Sequence, residues 1–302
     1  MKSFMKKITV IILTFNEERH IARCITSLGD IAETVFLIDC FSNDRTVEIA
    51  KEKGAIVVQR EWPGNQANQF NWALQNLPIQ TEWVFRLDAD EILLPELVDE
   101  IKNKVPLLDN DITGVVLKRR HYFFNKWVKR GVYPVKLLRL FRFNKAKCEQ
   151  RWMDEHIQLL EGQAIEFEND FVDHNLHDIH WWIQKHNGYA TREAIELLDV
   201  ELNLLSSIEE TKVLGDQAVA KREKKLKYAK QPLFLRSFAY FLYRYIFKLG
   251  FLDGKEGFLW NFFQGWWYRT LVDAKIYEIR KSCGRDKEKI KKFIKITYKI
   301  DI

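Results

Sequence analysis

The chain has 302 residues, of which 47% are apolar and 14% aromatic, and it contains only 13 glycines and 6 prolines. This composition supports a sizeable hydrophobic core and excludes disordered, collagen-like and low-complexity proteins. The net charge of +6 is unevenly divided, because residues 1–220 carry a net charge of −7 and residues 221–302 a net charge of +13. We therefore expect the C-terminal part to meet an anionic surface, either nucleic acid or a membrane leaflet.

The N-terminus superficially resembles a signal peptide. Lysines at positions 2, 6 and 7 precede the apolar run Ile8–Leu13, as the basic and apolar regions of a secretory signal would. The run is at the lower limit of length for such a region, however, and it ends in Asn16-Glu17-Glu18-Arg19 without a small-residue cleavage site. We predict a buried first strand and a protein that is not exported.

Strand and helix patterns alternate over the first hundred residues. Four short runs rich in Val, Ile and Phe are typical of strands buried on both faces: Ile8–Leu13, Thr34–Asp39, Ala55–Gln59 and Trp83–Leu87. Three stretches between them can carry apolar residues at helical spacing: Glu17–Leu28, Asp44–Lys53 and Asn65–Leu77. This alternation predicts right-handed βαβ crossovers, and hence an α/β fold in which helices flank a mostly parallel sheet.

The remaining chain divides into a second α/β part and a helical region. Residues 106–175 contain alternating or aromatic runs, which we interpret as a continuation of the same domain: Gly114–Lys118, Tyr122–Trp127 and Leu137–Phe143. Ile179–Leu205 has the spacing of an amphipathic helix, and Ile208–Lys230 is a highly charged helical stretch. We predict an α/β domain over residues 1–178, divided near residue 105, followed by a helical region over residues 179–302.

The four cysteines indicate neither a disulfide framework nor a zinc site. They are widely spaced and form no C-x-x-C pair: Cys24, Cys40, Cys148 and Cys283. We expect four free thiols in a reducing cytosol.

Polar side chains collect where the predicted parallel strands end. Thr14 and Asn16 follow the first strand, Asp39 ends the second, and Asp88-Ala89-Asp90-Glu91 follows the fourth. Open α/β sheets bind ligands at the edge formed by the carboxyl ends of their strands. The loop after the first strand contains no glycine-rich phosphate-binding motif, so a nucleotide at this edge would need carboxylates and a metal to hold its phosphates.

Asp88 and Asp90 are the first candidates for metal ligands. In extended backbone, residues i and i+2 project to the same side, and paired carboxylates suit Mg²⁺ or Mn²⁺. Such a metal would neutralise the charge that builds on a diphosphate leaving group. The alternative is a strand that runs into a helix, with Asp90 or Glu91 near the N-cap before Pro95. The position of the pair at the end of a buried strand favours the metal site.

Three segments together resemble the signatures of family 2 glycosyltransferases of the GT-A fold. They occur in the family's order and spacing: Ile8–Glu17 (ITVIILTFNE), Leu37–Thr46 (LIDCFSNDRT) and Arg86–Leu93 (RLDADEIL). The resemblance implies a Rossmann-like GT-A domain and an inverting transfer of a sugar from a nucleotide diphosphate donor. It also implies the site residues: Thr14, Asn16, Glu17 and Asp39 for the base and ribose, and Asp88 and Asp90 for the divalent metal and the diphosphate.

A further part of the resemblance is incomplete. Asn71, in Gln66–Trp72 (QANQFNW), matches the Arg-Asn position that precedes D-x-D in many members, which implies a substrate-binding role for Asn71. Here Phe70 stands in place of the arginine, so a phosphate-binding cation must come from elsewhere. Arg86 is a candidate, and the alternative is that this charge inside a strand is paired structurally.

The general base is sought among Asp154 and Glu155, in Arg151–His156 (RWMDEH). A carboxylate must remove the proton of the acceptor hydroxyl as it attacks the anomeric carbon. The segment is similar to the acid-bearing segment of bacterial lipopolysaccharide-core and exopolysaccharide glycosyltransferases. Neighbouring residues in a strand face opposite ways, so only one of the two acids can point at the acceptor, and we favour Glu155. His174 is a candidate third metal ligand or diphosphate contact, with a hydrogen-bonded structural role as the alternative.

Aromatic residues are concentrated near the C-terminus, where 15 of the 41 lie within residues 234–268. No charge-free run there approaches the ~20 residues that a membrane-spanning helix needs. Phe234–Phe247 and Phe258–Tyr268 are predicted as helices in a membrane interface, with their basic residues on anionic lipid. A dimer contact and packing on the catalytic domain are the alternatives. Nucleic acid is disfavoured because no nucleic-acid-binding motif accompanies the basic tail.

These features predict a metal-dependent inverting glycosyltransferase that is peripheral on the cytoplasmic face of the cell membrane. Its donor would be a nucleotide diphosphate sugar, with a UDP-sugar favoured, bound by residues 1–105. Its acceptor would be a saccharide or lipid-linked molecule of bacterial cell-envelope polysaccharide synthesis, bound by residues 106–178. One alternative is a haloacid-dehalogenase-type phosphatase, although that family places D-x-D on its first strand rather than its fourth. The other is a catalytically inactive, membrane-associated scaffold that binds nucleotide sugars.

Overall fold

Four parallel strands joined by helices form the first half of the sheet. The computed structural model describes residues 8–150, 155–202, 204 and 227–302. The elements of this half are β1 (Ile8–Thr14), α1 (Ile21–Ser27), β2 (Ala32–Asp39), α2 (Thr46–Glu52), β3 (Ile56–Gln59), α3 (Gln66–Asn76) and β4 (Trp83–Asp88). The four strands and three helices predicted from the sequence are confirmed, with ends that differ by at most a few residues.

The register of these strands brings their carboxyl ends to one edge. The strands are parallel and lie in the order β3-β2-β1-β4. Thr14 of β1 pairs with Asp39 of β2, and Leu13 of β1 pairs with Asp88 of β4. The polar residues that the sequence places after separate strands are therefore neighbours at one edge of the sheet.

The second half of the sheet adds antiparallel pairs. Its elements are β5 (Glu91–Leu93), α4 (Pro95–Lys104), a 3₁₀ turn (Val105–Leu107), β6 (Ile112–Phe123), β7 (Lys126–Val128), β8 (Val135–Arg142), β9 (Ala146–Cys148), β10 (Ile157–Leu159) and β11 (Gln163–His174). The sheet continues as β4-β8-β6-β11-β5, with β7 paired to β6, and β9 and β10 form a separate two-stranded sheet. Six of the nine strands described in the main sheet run in one direction.

Helices cover both faces of the sheet and bury two hydrophobic clusters. Adjacent residues of β4 belong to different clusters, since Phe85 packs with Ile21 and Phe171 on one face, and Val84 packs with Phe70 on the other. Each of these side chains is at least 99% buried, and burial of one such side chain contributes about 1.5–3 kcal/mol to stability. The two clusters fix the strands whose carboxyl ends carry the polar residues.

The C-terminal region is helical. It comprises α5 (Ile179–Leu202), α6 (Leu235–Leu242), a π-helix (Tyr243–Phe247), a 3₁₀ turn (Gly250–Asp253), α7 (Gly254–Trp260), a second π-helix (Asn261–Trp267), α8 (Tyr268–Cys283) and α9 (Lys287–Tyr298). Leu198 of α5 and Ile276 of α8 are buried in the core of this region. The predicted helical stretch Ile208–Lys230 lies almost entirely outside the described residues.

This helical region is attached to the β6–β7 hairpin and the loop after it. The Arg130 backbone N–H donates to Asp253 Oδ2 at 2.7 Å, and Arg130 Nη1 donates to Asp253 Oδ1 at 2.8 Å. The Trp260 ring of α7 also contacts the His121 ring of β6, with 3.9 Å between the ring centroids. Within the described ranges, no helix combines the length and the apolar character needed to cross a membrane.

Candidate active site

The end of β2 carries a buried carboxylate that three residues hold in place through four hydrogen bonds. Asp39 is fully buried, and its Oδ1 accepts hydrogen bonds from the hydroxyls of Thr14, at 3.1 Å, and Ser42. Its Oδ2 accepts from the Ser42 backbone N–H at 2.9 Å and from Gln59 Nε2 at 3.1 Å. The orientation of the carboxylate is therefore fixed before any ligand arrives.

The loops after β1 and β2 are tied to each other. Asn16 adopts a left-handed backbone conformation with φ of 57°, which turns the chain directly after β1. Its backbone N–H donates to Ser42 Oγ at 2.8 Å, and its side-chain Oδ1 accepts from the Asn43 N–H at 3.0 Å. The Glu17 N–H donates to Thr46 Oγ1 at 2.7 Å. The polar residues Thr14, Asn16, Glu17 and Asp39 therefore form one wall.

The D-x-D segment lies beside this wall, at the end of β4. The Asp88 side chain is 34% exposed, and its backbone N–H donates to Glu91 Oε2 at 2.9 Å. Asp90 Oδ2 accepts from Asn175 Nδ2 at 3.0 Å, and the Asp90 carbonyl accepts from the His174 N–H at 3.0 Å. The segment after β11 thus holds the second aspartate in place.

Arg139 of β8 joins the two acids Asp88 and Glu91. Its Nη2 donates to Asp88 Oδ2 at 3.0 Å and to Glu91 Oε1 at 2.6 Å, while Arg86 Nε lies 3.9 Å from Asp88 Oδ1. Burial works against ionisation of Asp88, but the charges of Arg139 and Arg86 outweigh it and lower the pKa of this carboxyl. Asp88 is therefore ionised at neutral pH, as a metal ligand must be.

Acidic and basic side chains continue in alternation away from Asp88. Arg119 Nη1 lies 3.6 Å from Glu91 Oε1 and 3.3 Å from Asp173 Oδ2, and His121 Nδ1 lies 3.2 Å from Asp173 Oδ2. The fully or partly buried chain of groups reaches from the D-x-D segment to the His121 ring that contacts Trp260. Its acids and bases come from β5, β6, β8 and β11, so the site is stabilised from the second half of the sheet.

The donor set at Asp88 and Asp90 fits a hard divalent cation. Both groups are carboxylates, and Asp88 is ionised and open to solvent over a third of its surface, so oxygen ligation of Mg²⁺ or Mn²⁺ suits them. His174 is placed differently. Its Nδ1 faces Arg23 Nη1 at 3.1 Å, and its Nε2 faces Asn125 Oδ1 at 2.8 Å. Arginine can only donate, so Nδ1 accepts and Nε2 carries the proton. Both ring nitrogens are engaged, and metal ligation by His174 stays a prediction.

A second group of ligating side chains lies at the turn after β1. One ligand atom from each of Glu17, His20 and His177 lies within 4.8 Å of the others. The Leu176 backbone N–H donates to His20 Nε2 at 2.8 Å, so Nε2 accepts, and His20 Nδ1 carries the proton that it donates to Glu17 Oε2 at 2.6 Å. A protonated Nδ1 has no lone pair for a metal. The arrangement is therefore a hydrogen-bonded anchor between this turn and the segment after β11.

Two other predicted residues are engaged by neighbours. Asn71 of α3 uses both polar groups of its amide on the backbone of Cys148, at 2.7 Å and 2.8 Å, and so joins α3 to β9. Arg86 is 5% exposed and donates to Gln66 Oε1 at 3.1 Å and to Cys148 Sγ at 3.3 Å. Arg86 lies beside Asp88, whereas the amide of Asn71 faces β9 in this structure.

The candidate base Glu155 lies on the loop between β9 and β10, and Asp154 lies outside the described residues. Glu155 is partly buried and close enough to Cys148 to affect that thiol. Burial raises the pKa of Cys148 to about 11, Arg86 opposes the shift, and the Glu155 carboxylate adds to it. Because Cys148 contacts Arg86, Glu155 lies on the Arg86 side of the site.

A sequence profile described as glycosyl transferase family 2 matches residues 9–159, half of the chain. The chain belongs to glycosyltransferase family 2. The matched region contains Asp39 and Asp88 with the polar residues around them, and it ends at the last residue of β10. The prediction of the family is confirmed, and so is that of an α/β fold of GT-A type with an aromatic-rich helical C-terminal region.

Other relatives of this family 2 glycosyltransferase match over shorter stretches. An uncharacterised glycosyltransferase of Rickettsia typhi is 44% identical over 98 residues, which are 32% of each chain. One of Rickettsia conorii is 42% identical over 101 residues, which are 33% of this chain and 35% of that protein. The matches thus span about a third of the length of these relatives.

Among solved structures, similarity is found to glucosyl-3-phosphoglycerate synthase of Mycobacterium tuberculosis in complex with Mn²⁺, UDP and glucosyl-3-phosphoglycerate. The identity is 26%, the match covers 38% of this chain and 44% of that one, and the TM-score is 0.31.

Two residues of the candidate site were not predicted from the sequence: Glu91 as a partner of the Asp88 backbone, and Arg139 as a partner of both acids. Arg139 stands between apolar residues of β8, as Arg86 does in β4. A charge inside an otherwise apolar strand was the available signal, because such a charge needs a buried partner.

Proposed function

We propose that this protein is a metal-dependent inverting glycosyltransferase of bacterial cell-envelope polysaccharide synthesis. It moves a sugar from a nucleotide diphosphate donor, with a UDP-sugar favoured, to a saccharide or lipid-linked acceptor. One observation supports the proposal above the others: the ionised Asp88 and its neighbour Asp90 lie at the same sheet edge as the fixed carboxylate of Asp39. Family membership supports the reaction class. The two groups of carboxylates at this edge support the binding of a nucleoside near Asp39 and of a metal with its diphosphate near Asp88 and Asp90.

In the proposed mechanism, Thr14, Asn16, Glu17 and Asp39 bind the base and ribose of the donor. Asp88 and Asp90 would hold Mg²⁺ or Mn²⁺, which would neutralise charge on the departing nucleotide diphosphate. Glu155 accepts the proton of the acceptor hydroxyl as its oxygen attacks the anomeric carbon, and Asp154 is the alternative base. Attack on the face opposite the leaving group inverts the configuration in a single displacement.

The metal role is tested with Asp88→Asn and Asp90→Asn, with the exposed Asp99→Asn on α4 as the control. Each asparagine keeps the size of the side chain and removes the charge that a divalent cation requires. We expect both site variants to lose donor turnover by about 100-fold or more and to remain folded, with a lower unfolding temperature for Asp88→Asn because Arg139 and Arg86 lose an ion-pair partner. Wild-type turnover that is the same in EDTA as in Mn²⁺ would contradict the proposal.

The two alternatives are distinguished by product analysis. The D-x-D segment follows β4 rather than the first strand, and the profile match is to a glycosyltransferase family, so neither observation supports a phosphatase. Release of phosphate from generic phosphomonoesters would favour that alternative nevertheless. Binding of nucleotide sugars without transfer to any acceptor would favour the inactive scaffold.

We further propose that residues 234–268 contact an anionic membrane surface. Of the 15 aromatic residues in this segment, only three are buried: Phe241, Trp260 and Tyr268. Six are exposed: Phe234, Phe238, Tyr243, Phe247, Phe251 and Phe258. An open groove of about 560 Å³ lies between Tyr245, Phe251 and Phe258 with Lys255 at its side. Exposed aromatics beside basic residues favour the headgroup region of a bilayer, and a homodimer contact is the competing explanation.

A further inference from the structure

The site has an unassigned cation on α5, which lies beyond residues 9–159 that match the family profile. Helix α5 begins directly after the segment that holds Asp90 through Asn175 and His174. Trp181 and Lys185 are four residues apart and therefore lie on the same face of the helix. Their position places a lysine near the metal-binding aspartates.

A series of ring contacts packs this face of α5 against the turn after β1. The Trp181 ring stacks on His177, with 4.0 Å between centroids and 15° between planes, and His177 packs edge-on against His20 at 5.1 Å. His20 in turn donates to Glu17 Oε2 at the turn after β1. The face of α5 that carries Trp181 and Lys185 is therefore packed onto the nucleotide side of the sheet edge.

The Lys185 ammonium lies 4.5 Å from the centroid of the Trp181 ring and 5.9 Å from that of Tyr189. The side chain is half-buried, and among the described residues no carboxylate lies within ion-pair distance of it. Burial works against the charged form, but Tyr189, Asp90, Glu17 and Asp173 together raise the pKa of Lys185. The lysine is thus a fixed positive charge that faces the acids of the site without pairing with any of them.

Three arginines near the site already have partners among the residues that the structure describes. Arg139 bridges Asp88 and Glu91, Arg86 donates to Gln66 and Cys148, and Arg23 donates to His174. When a divalent cation occupies Asp88 and Asp90, their charge is neutralised, and Lys185 remains available for an anion. The family's phosphate-binding arginine is also missing here, since Phe70 stands in its place.

We propose that Lys185 binds the diphosphate of the nucleotide donor, with Trp181 as the platform that orients its side chain. The inference rests on the proposed function, because it assumes a nucleotide diphosphate donor. An ammonium is a compact cation with three donors, which suits phosphate oxygens, and it stabilises the charge that grows on the diphosphate as the sugar leaves. Lys185 would thereby replace the missing arginine from a different element of the fold.

The test compares Lys185→Met with Lys185→Arg and with the control Lys275→Met. Methionine keeps most of the apolar stem over Trp181 and removes the charge. Lys275 is a suitable control because its ammonium lies 5.0 Å from the Tyr298 ring on α9, where it also covers an aromatic residue. The wild type is first screened by thermal shift with UDP, GDP, CDP, ADP and dTDP in Mn²⁺. The tightest diphosphate and its phosphate-free nucleoside are then titrated calorimetrically into each variant.

We expect Lys185→Met to weaken diphosphate binding by about 10-fold or more and to leave nucleoside binding unchanged. Lys185→Arg should recover part of the loss, and Lys275→Met should behave as the wild type. Equal weakening of diphosphate and nucleoside would overturn the inference, because it indicates a structural role, and so would unchanged diphosphate binding. If Lys185→Met does not fold, Lys185→Gln gives the same comparison. A wild type that binds no diphosphate contradicts the proposed function itself.

Discussion

At the scale of single residues, the ionised state of Asp88 depends on one arginine. Arg139 is 6% exposed and donates to Asp88 and to Glu91, and the charges around it raise its own pKa despite burial. Burial raises the pKa of Glu91 to about 8, so Asp88 carries the negative charge of this pair. Removal of one partner from such a buried group leaves uncompensated charge, which costs about 3–5 kcal/mol. The same residue therefore serves the stability of the fold and the electrostatics of the metal site.

We expect Arg139→Met to raise the pKa of Asp88 and to lower stability. A depressed carboxyl pKa stabilises the folded state above the ordinary value of 3.8, and this contribution is lost as the pH falls through the lower folded value. Without Arg139 that loss begins at higher pH, and protons compete better with the metal. The acid side of the pH profile of Mn²⁺ affinity, measured by electron paramagnetic resonance, should therefore move to higher pH.

Two variants make the Arg139 result interpretable. Arg139→Lys keeps the charge and should retain most of the Mn²⁺ affinity if the variant without charge unfolds. Arg45→Met removes an exposed arginine whose partner is Glu48, and it should change neither stability nor metal binding. A Mn²⁺ pH profile of Arg139→Met that coincides with the wild-type profile would show that Arg139 does not control Asp88.

At the scale of secondary-structure elements, the first half of the sheet could be predicted in full and the second half only in part. The runs Gly114–Lys118 and Leu137–Phe143 lie on β6 and β8, whereas β11 was not recognised. Strands β1, β2 and β4 bury residues on both faces, so each leaves a run of Val, Ile and Phe in the sequence, and polar residues mark their ends. The expectation of burial on both faces is wrong for β3, which lies at the edge of the sheet and leaves Ile56 51% exposed. Strand β11 has no such pattern. Its pairing with β6 shifts register between Glu166 and Asp170, which interrupts the alternation of apolar residues.

The contrast between local patterns and contacts of distant residues also explains why Glu91 and Arg139 were not predicted. Asp39 is recognisable because it ends β2, and Asp88 and Asp90 because they stand at the end of β4, which is local information. The partnership of Arg139 with Glu91 joins residues 48 positions apart, and the antiparallel pairing of β4 with β8 brings them together. No local pattern encodes such a contact, so only the charge inside an apolar strand indicated that Arg139 had a partner.

His20 joins the turn after β1 to the segment after β11, and we expect this contact to stabilise the fold. His20 is fully buried and hydrogen-bonds on both sides, to Glu17 and to the Leu176 N–H. His20→Ala leaves a partly buried acceptor and donor without partners and opens a cavity where the buried ring was, and we expect a loss of about 1–3 kcal/mol in the free energy of unfolding by urea. The exposed His180→Ala on α5 is the control. Equal stability of the two variants would show that the turn is held by other contacts.

At the scale of the whole molecule, the acidic α/β part and the basic C-terminal helices use their charged residues differently. The α/β part uses its acids at the sheet edge. The C-terminal helices contact it through ion pairs such as Arg130 with Asp253 and through a buried cluster that joins Phe123 and Val128 to Trp182 and Trp260. Lys126 and Glu256 form a further ion pair at 2.9 Å between the two parts. These contacts leave exposed the side of the C-terminal helices that carries Phe247 and Phe251, together with the lysines beside them.

The exposed aromatic side predicts lipid binding that depends on both charge and apolar contact. Phe247 is 76% and Phe251 43% exposed, and insertion of each ring into the interface should contribute about 1.5–3 kcal/mol, with about 1 kcal/mol from each nearby lysine. In flotation with phosphatidylglycerol vesicles, Phe247→Ser combined with Phe251→Ser should lower the bound fraction at least tenfold. Leu107→Ser, an exposed apolar position on the α/β part, should leave it unchanged. Sedimentation as a dimer without lipid, abolished by the same double substitution, would instead assign this surface to a second copy of the chain.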